Sequence, residues 1–263
     1  MTKGITVVKI GGNVVDDEAA LREFCRSFAA FEGPKLLVHG GGAVASHIQK
    51  ALGQTPVKIE GRRVTDAETL KVVTMVYSGL CNKTITALLQ AGGCNAIGLS
   101  GCDGSAICAR KRAPRTLMDG VTKLDYGFVG DVDKSSVNVE FLTKLLEDGF
   151  TPVLCAINHD GRGQLLNTNA DTVASAVAAA LGAHLLYCFE LDGVMRDVKD
   201  PSSVIPLVTP ADFEAMKADG TVSEGMIPKI ENCLKALREG AGAVTIKNSA
   251  SLNDRECGTR ISL

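Results

Sequence analysis

Short apolar runs of strand length alternate with longer segments of helical periodicity along the whole 263-residue chain, and this alternation restricts the fold more than any other feature. Strands separated by helical segments need crossover connections, so the pattern predicts an α/β protein with a largely parallel sheet. Residues 5–10 read as a first strand, and residues 17–31 as a helix whose apolar positions include Leu21, Phe24 and Phe28. Leu36-Leu37-Val38 is a second strand running into Gly40-Gly41-Gly42 and a helix that ends near Gly53. A long helix is expected over residues 67–90, a buried strand over 95–99, and hairpins lying over the sheet across 105–137, where they could wall a substrate pocket. Pro152-Val153-Leu154-Cys155 and the strand beginning at His184 read as core strands on either side of a helix over 170–181. No repeat, linker or composition break divides the chain. The expectation is one domain over residues 1–263, with a substrate and dimerisation lobe to about residue 180 and a nucleotide lobe over 181–263.

Charge and cysteine content narrow the function classes. With 28 basic against 30 acidic residues there is no electrostatic footprint for a nucleic acid or an anionic membrane, so an anionic ligand must be met by local positive groups. Nine cysteines are scattered without Cys-x-x-Cys or Cys/His spacing, which predicts reduced thiols in a cytoplasmic protein and no metal site built by the chain. The N-terminus enters an alternating apolar segment directly, with neither a signal-peptide core nor a spanning stretch at that end.

Several motifs could carry chemistry. Lys9-Ile10-Gly11-Gly12-Asn13 ends a strand with a lysine and a glycine pair, so an ammonium and backbone N–H groups could face a phosphate; a solvated surface lysine is the plainer reading. No Walker-type phosphate loop and no protein-kinase catalytic loop occurs. Gly40-Gly41-Gly42, between a strand and a helix, can bring backbone amides close to an anion. The run Gly40-x-Gly42-x-x-Ala45 also fits a dinucleotide fingerprint with Glu60 as the ribose acid, a reading that leaves Lys9 and Arg63 without a role. Gly61-Arg62-Arg63-Val64-Thr65-Asp66 puts two arginines beside a helix-capping residue, and either guanidinium could grip a carboxylate through paired hydrogen bonds. Asn167, Asn169 and Asp171 occupy alternate positions before an alanine-rich helix; capping accounts for Asn169 and Asp171 but not for Asn167. Lys229 opens a further helix after Gly225-Met226-Ile227-Pro228, where a cation opposes the dipole and calls for an anion such as phosphate.

Taken in order, Lys9-Ile10-Gly11-Gly12, His39-Gly40-Gly41-Gly42, Gly61-Arg62-Arg63-Val64-Thr65, Asn167-Thr168-Asn169-Ala170-Asp171 and Gly225-Met226-Ile227-Pro228-Lys229 resemble the N-acetylglutamate kinases of the amino acid kinase family. The resemblance runs from Lys9 to the terminal Gly258-Thr259-Arg260-Ile261. It implies an open three-layer αβα sandwich, a homodimer joined through the substrate lobes, ATP as phosphoryl donor and Mg2+ carried on the nucleotide phosphates. The implied reaction phosphorylates the side-chain carboxylate of an N-acyl-L-glutamate to an acyl phosphate, the second step of arginine and ornithine biosynthesis. Lys9 and Lys229 would stabilise the transferring phosphoryl group, and Asp171 would orient both lysines. Gly11, Gly12, Asp192, Gly193 and Gly225 would join the lysines around ATP. Gly41, Gly42, Arg63, Asn167 and Asn169 would hold the substrate, Arg63 on its α-carboxylate. A glutamate side chain has a pKa of about 4.3, so no base is required.

Three departures qualify what carries over. Phe189 and Glu190 stand where the family more often has a small hydroxyl residue and an aspartate, which leaves the purine contacts unassigned. The chain begins close to its first strand, so a dimer without arginine feedback is expected. The acyl group stays open between acetyl and a longer group such as succinyl. Competing readings are a family member with another acceptor, a nicotinamide-dependent oxidoreductase built on the Gly40 fingerprint, and a catalytically silent nucleotide sensor.

Overall fold

The computed structural model describes residues 4–116, 123–222 and 226–263. The first apolar run forms strand β1 (Thr6–Ile10), followed by a short helix α1 (Gly12–Asp16) and by α2 (Glu18–Ala30), whose N-cap Asp17 accepts from Ala20 N. Strand β2 (Lys35–His39) leads into α3 (Gly42–Ala51), and a small hairpin pairs β3 (Lys58–Ile59) with β4 (Arg62–Arg63). Asp66 caps α4 (Ala67–Thr74), which continues through a π-helical stretch (Met75–Cys81) into α5 (Asn82–Ala91). After β5 (Ala96–Leu99), two ribbons pair β6 (Arg110–Lys111) with β9 (Gly130–Asp131) and β7 (Arg115–Thr116) with β8 (Lys123–Leu124). Helix α6 (Val139–Glu147) and β10 (Thr151–Leu154) precede a hairpin of β11 (Ile157–His159) and β12 (Leu165–Asn167). Then come α7 (Ala170–Leu181), β13 (His184–Phe189), β14 (Leu207–Val208), α8 (Pro210–Ala218), α9 (Ile227–Glu239), β15 (Ala243–Asn248) and β16 (Thr259–Ile261).

Eight strands form the central sheet in the order β14-β16-β15-β13-β1-β2-β10-β5, and only the β15/β16 pair is antiparallel. The sheet is continuous across residue 180, because β13 pairs in parallel with β1 from Thr6↔His184 to Ile10↔Cys188. Side-chain alternation assigns the two faces. Val8, Ile10, Leu37 and Leu186 pack in one core with residues of α2 and α5, whereas Val7, Val38, Leu185 and Tyr187 pack in the other with α7 and α9. The result is the expected three-layer arrangement with a mostly parallel sheet.

Some expectations need correction. Residues 96–99 form the edge of the sheet, with Ile97 and Gly98 only partly buried, because nothing pairs on their outer side among the described residues. The β11–β12 hairpin and the π-helical stretch were not foreseen. The expected hairpins are present over residues 105–137 as described, but they are tied by bridges to Thr65 and Asn167 near the strand ends, and residues 117–122 lie outside the described residues. The continuous helix Ala67–Ala91 is long and apolar enough by composition to cross a membrane. In this fold it packs one face, including Leu70, Val73, Val76, Ile85 and Leu89, into the core.

Candidate active site

A cavity of about 190 Å³ opens at the carboxyl ends of β1 and β2, the position where open α/β sheets bind ligands. Lys9, Gly40, Gly41 and Gly42 form one side of its lining, Arg63 and Lys58 of the β3–β4 hairpin another, and Asn167, Asn169 and Asp171 a third. The structure therefore brings together Lys9 and all five residues assigned to substrate, with Asp171 beside them.

Lys9 is 5% exposed and lies in the register of β1 opposite Val38 and Tyr187. A buried lysine needs a counter-charge, and Asp171 supplies it: Lys9 Nζ is 2.6 Å from Asp171 Oδ1. The sequence places that carboxylate in the first turn of α7, where the helix dipole favours it. Asn169 is the α7 N-cap, its Oδ1 accepting from Asp171 N at 2.8 Å and Thr172 N at 3.1 Å. Its oxygen is thereby committed to the helix, so Asn169 positions Asp171, and only its amide nitrogen is left to face the cavity.

Lys229, in the first turn of α9, does not pair with Asp171. Its ammonium sits 3.8 Å from the centroid of the Phe189 ring, and Lys9 Nζ lies 5.2 Å from the same centroid. Phe189 is itself stacked on Tyr187 with ring centroids 5.9 Å apart. Of the two contacts expected of Asp171, the one with Lys9 is formed directly, whereas Lys229 feels the carboxylate without pairing to it and sits over the aromatic face. Burial pushes the Lys229 pKa below the usual lysine range, partly offset by the negative charge of Glu190.

The glycine loop is shaped from beneath by His39. This imidazole is fully buried, donates from Nδ1 to Gly40 O at 2.7 Å and accepts at Nε2 from Asn82 Nδ2 at 3.0 Å. Asn82 Nδ2 also donates to Val153 O at 2.9 Å, which fixes that amide group as the donor and places the imidazole proton on Nδ1. Burial lowers the His39 pKa to about 4, so the ring is neutral. Gly41 adopts φ 153°, and a Cβ there would approach Cys81 Sγ and Tyr77 Cδ1 to 3.0 Å, so the close approach of the π-helical stretch requires glycine.

Arg63 is 6% exposed and largely engaged by the protein. Its Nη2 donates to Gly42 O at 2.7 Å and Ser46 Oγ at 2.8 Å, and its Nη1 donates to Gln49 Oε1. Its Nε–H has no partner among the described residues. Asn167 donates from Nδ2 to Thr65 Oγ1 at 3.0 Å, while Thr65 donates to Arg63 O, leaving Asn167 Oδ1 as a buried acceptor without a partner among the described residues. Arg63 and Asn167 thus retain a buried donor and a buried acceptor that an amide-bearing carboxylate ligand would satisfy.

The remaining assignments fall outside the cavity lining. Gly11 and Gly12 open α1 next to Lys9, where a Cβ on Gly11 would sit 3.5 Å from Lys9 Nζ. Asp192 accepts from Asn248 Nδ2 at 2.9 Å in the loop after β13. Gly193 packs against Thr259, whose Oγ1 would lie 2.6 Å from an added Cβ. Gly225 lies outside the described residues. Glu60, the acid required by the dinucleotide reading, occupies the turn of the antiparallel β3–β4 hairpin at φ 50° and pairs with Arg115, instead of closing a parallel strand as that fingerprint requires. That reading is not favoured. Lys58 and Tyr77 line the cavity without having been singled out in the sequence, whereas Arg62 was weighed there beside Arg63 and Phe189 was noted only as a departure in the nucleotide stretch.

A cavity lined by Lys9, Lys58, Arg62 and Arg63 thus opens at the strand ends, with Lys9 paired to Asp171 and a second lysine, Lys229, over the neighbouring Phe189 ring. The amino acid kinase family profile matches residues 4–248, and the chain belongs to the amino acid kinase family. It is 49% identical over 265 residues to a protein of Bacteroides thetaiotaomicron named acetylglutamate kinase, covering 99% of each chain. A protein of Cytophaga hutchinsonii with the same name is 49% identical over 250 residues, covering 94% of this chain and 92% of its own. Among solved structures, smu.665 from Streptococcus mutans UA159 superimposes with TM-score 0.73 at 25% identity, covering 100% of this chain and 99% of that one. N-acetylglutamate synthase from Neisseria gonorrhoeae shares the fold, with TM-score 0.79 at 21% identity over 99% of this chain and 59% of its own.

Proposed function

We propose that the chain transfers the γ-phosphoryl group of ATP to the side-chain carboxylate of an N-acyl-L-glutamate, as the names of its nearly full-length relatives indicate for N-acetylglutamate. The observation that carries this reading is the charge of the cavity: Lys9, Lys58, Arg62 and Arg63 face it against the single carboxylate of Asp171. Such a wall favours a substrate with two carboxylates and disfavours the ammonium of a free amino acid, so the amino group is acylated. The resulting amide N–H has a natural acceptor in Asn167 Oδ1, and the α-carboxylate a donor in Arg63 Nε.

In the reaction, a carboxylate oxygen attacks the γ-phosphorus, a new P–O bond forms, and ADP leaves with the electron pair of the bond that breaks. No proton moves, because the nucleophile is ionised at neutral pH. The work of the protein is to hold two anions together in line. Lys9 and Lys229 offset the charge on the transferring group, Asp171 fixes Lys9, and the amides of Gly41 and Gly42 approach the reacting region. Gly11 and Gly12 beside Lys9, together with Asp192, Gly193 and Gly225 of the 181–263 lobe, are assigned to the nucleotide. Among the described residues no cluster of three His, Cys, Asp or Glu side chains could hold a metal, and Mg2+ is assigned to the ATP phosphates, where it would neutralise their charge. The exposed Met75 and Leu80 on the continuous helix support a homodimer through that face, in the cytoplasm, where the free thiols stay reduced. Light scattering should give twice the 27.5 kDa chain mass.

The deciding experiment measures ADP release from MgATP with acylated and free glutamate, trapping the acyl phosphate with hydroxylamine. Turnover confined to the acylated substrate is expected. Turnover of free glutamate, or of neither by protein that still binds ATP, would overturn the proposal.

A further inference from the structure

The cavity holds more positive charge than an N-acylglutamate with a neutral acyl group would use, a point that rests on the reaction proposed above. Such a substrate brings two carboxylates, the reacting one beside Lys9 and the α-carboxylate at Arg63. Lys58 and Arg62 remain, both on the β3–β4 hairpin and both lining the same cavity. Arg62 is half-buried, and its guanidinium forms no hydrogen bond or ion pair with any described residue. The two acids whose charge it feels are already engaged, Asp131 with Arg112 and Glu60 with Arg115. Burial and the neighbouring Arg112 guanidinium both push the Arg62 pKa down, a cost that a bound anion would offset. Arg62 and Arg63 line the one cavity from different depths, Arg63 buried and Arg62 half-buried, so they can serve two different carboxylates of one molecule.

We infer that Arg62, assisted by Lys58, binds a carboxylate at the far end of the acyl group, so that the preferred substrate carries a dicarboxylic acyl group such as succinyl in place of acetyl. A planar guanidinium suits that role because it can meet a carboxylate through two parallel hydrogen bonds. Arg62 becomes a specificity-determining residue for the length and charge of the acyl chain.

The test compares kcat/KM for N-succinylglutamate, N-acetylglutamate and N-butanoylglutamate, the last matching the succinyl chain in length without its charge. The wild-type enzyme should prefer succinyl over butanoyl by roughly 10- to 100-fold, the range of a charge-assisted hydrogen bond. Arg62→Leu should reduce that ratio at least about tenfold, and Arg62→Lys should restore part of it. A wild-type ratio near one would overturn the inference without reference to any variant. So would an equal loss on all three substrates in Arg62→Leu, which would place Arg62 on the α-carboxylate. Absence of turnover with every acylated glutamate would instead remove the kinase reading beneath it.

Discussion

Acidification should weaken this protein through His39, and the size of the effect follows from the structure. The imidazole is fully buried at the end of β2, and both of its nitrogens are committed, one to Gly40 O and the other to an amide group that can only donate. Burial penalises the charged ring, and the nearby Lys83 ammonium adds to that, so the pKa falls from the ordinary 6.5 to about 4; protonating Nε2 would also set two donors against each other. The depressed folded pKa means that the unfolded chain binds a proton that the folded one refuses. The stability tied to His39 is therefore complete above about pH 6.5 and is lost as the pH falls toward 4. The full gap corresponds to about 3 kcal/mol, of which about 2 kcal/mol disappears between pH 7 and pH 5. Other groups also titrate, so the test is a comparison with His39→Asn, whose amide can still donate to Gly40 O but does not titrate. Thermal unfolding of both proteins at pH 7 and pH 5 should show the wild type losing roughly 4–8 °C more than the variant, the shift expected for that energy in a chain of this size. Equal losses would refute the argument and imply that the ring finds another acceptor when charged.

Four further outcomes are expected. Lys229→Met should lower kcat by roughly 100- to 1000-fold while the fold persists, since it removes one cation from the transferring phosphoryl group. Asp171→Asn should lower kcat by about tenfold or more through misplacement of Lys9, with KM for ATP less affected, as steady-state kinetics would show. Gly41→Ala should raise KM for the acylated substrate and destabilise the protein by about 1–3 kcal/mol, because its Cβ would press on Cys81 and Tyr77 at a φ that side chains avoid; urea titration measures the second part. Phe189→Ser should reduce turnover by up to about tenfold, the scale of losing an aromatic seat for Lys229 and Lys9, and unchanged kinetics would show that the ring only fills space.

The layers of the fold were legible because periodicity reports burial. Residues 6–10, 35–39 and 184–189 are apolar runs flanked by glycine or helical segments, and each is a strand of the central sheet. The π-helical stretch over Met75–Cys81 was not legible, since one extra residue per turn shifts the apolar pattern too little to be read within a 25-residue helix. The β11–β12 hairpin was missed because each of its strands has only three residues, too few for alternation to register. Local capping could be read at Asn169 and Asp66, where the side chain bonds a backbone two or three residues away.

Partners distant in sequence could not be read in the same way, and that difference changes the account of the two lysines. The resemblance suggested one carboxylate shared between two ammoniums, an arrangement that would offset part of the charge of both before any nucleotide arrived. The packed structure divides the task. Asp171 makes its direct ion pair with Lys9, while Lys229 sits over Phe189, an aromatic face that attracts a cation, and feels the charges of Glu190 and Asp171 without an ion pair to Asp171. Lys229 is also partly desolvated and stands in the first turn of a helix whose dipole opposes it. Both costs are offset when a phosphate approaches, so on the proposed reaction Lys229 gains most from the anion it is meant to stabilise. On that reaction Phe189, the residue that departs from the family pattern, would serve the lysine: its ring seats Lys229 without pairing to it, so the anion that offsets the ammonium's remaining charge would be the transferring phosphoryl group.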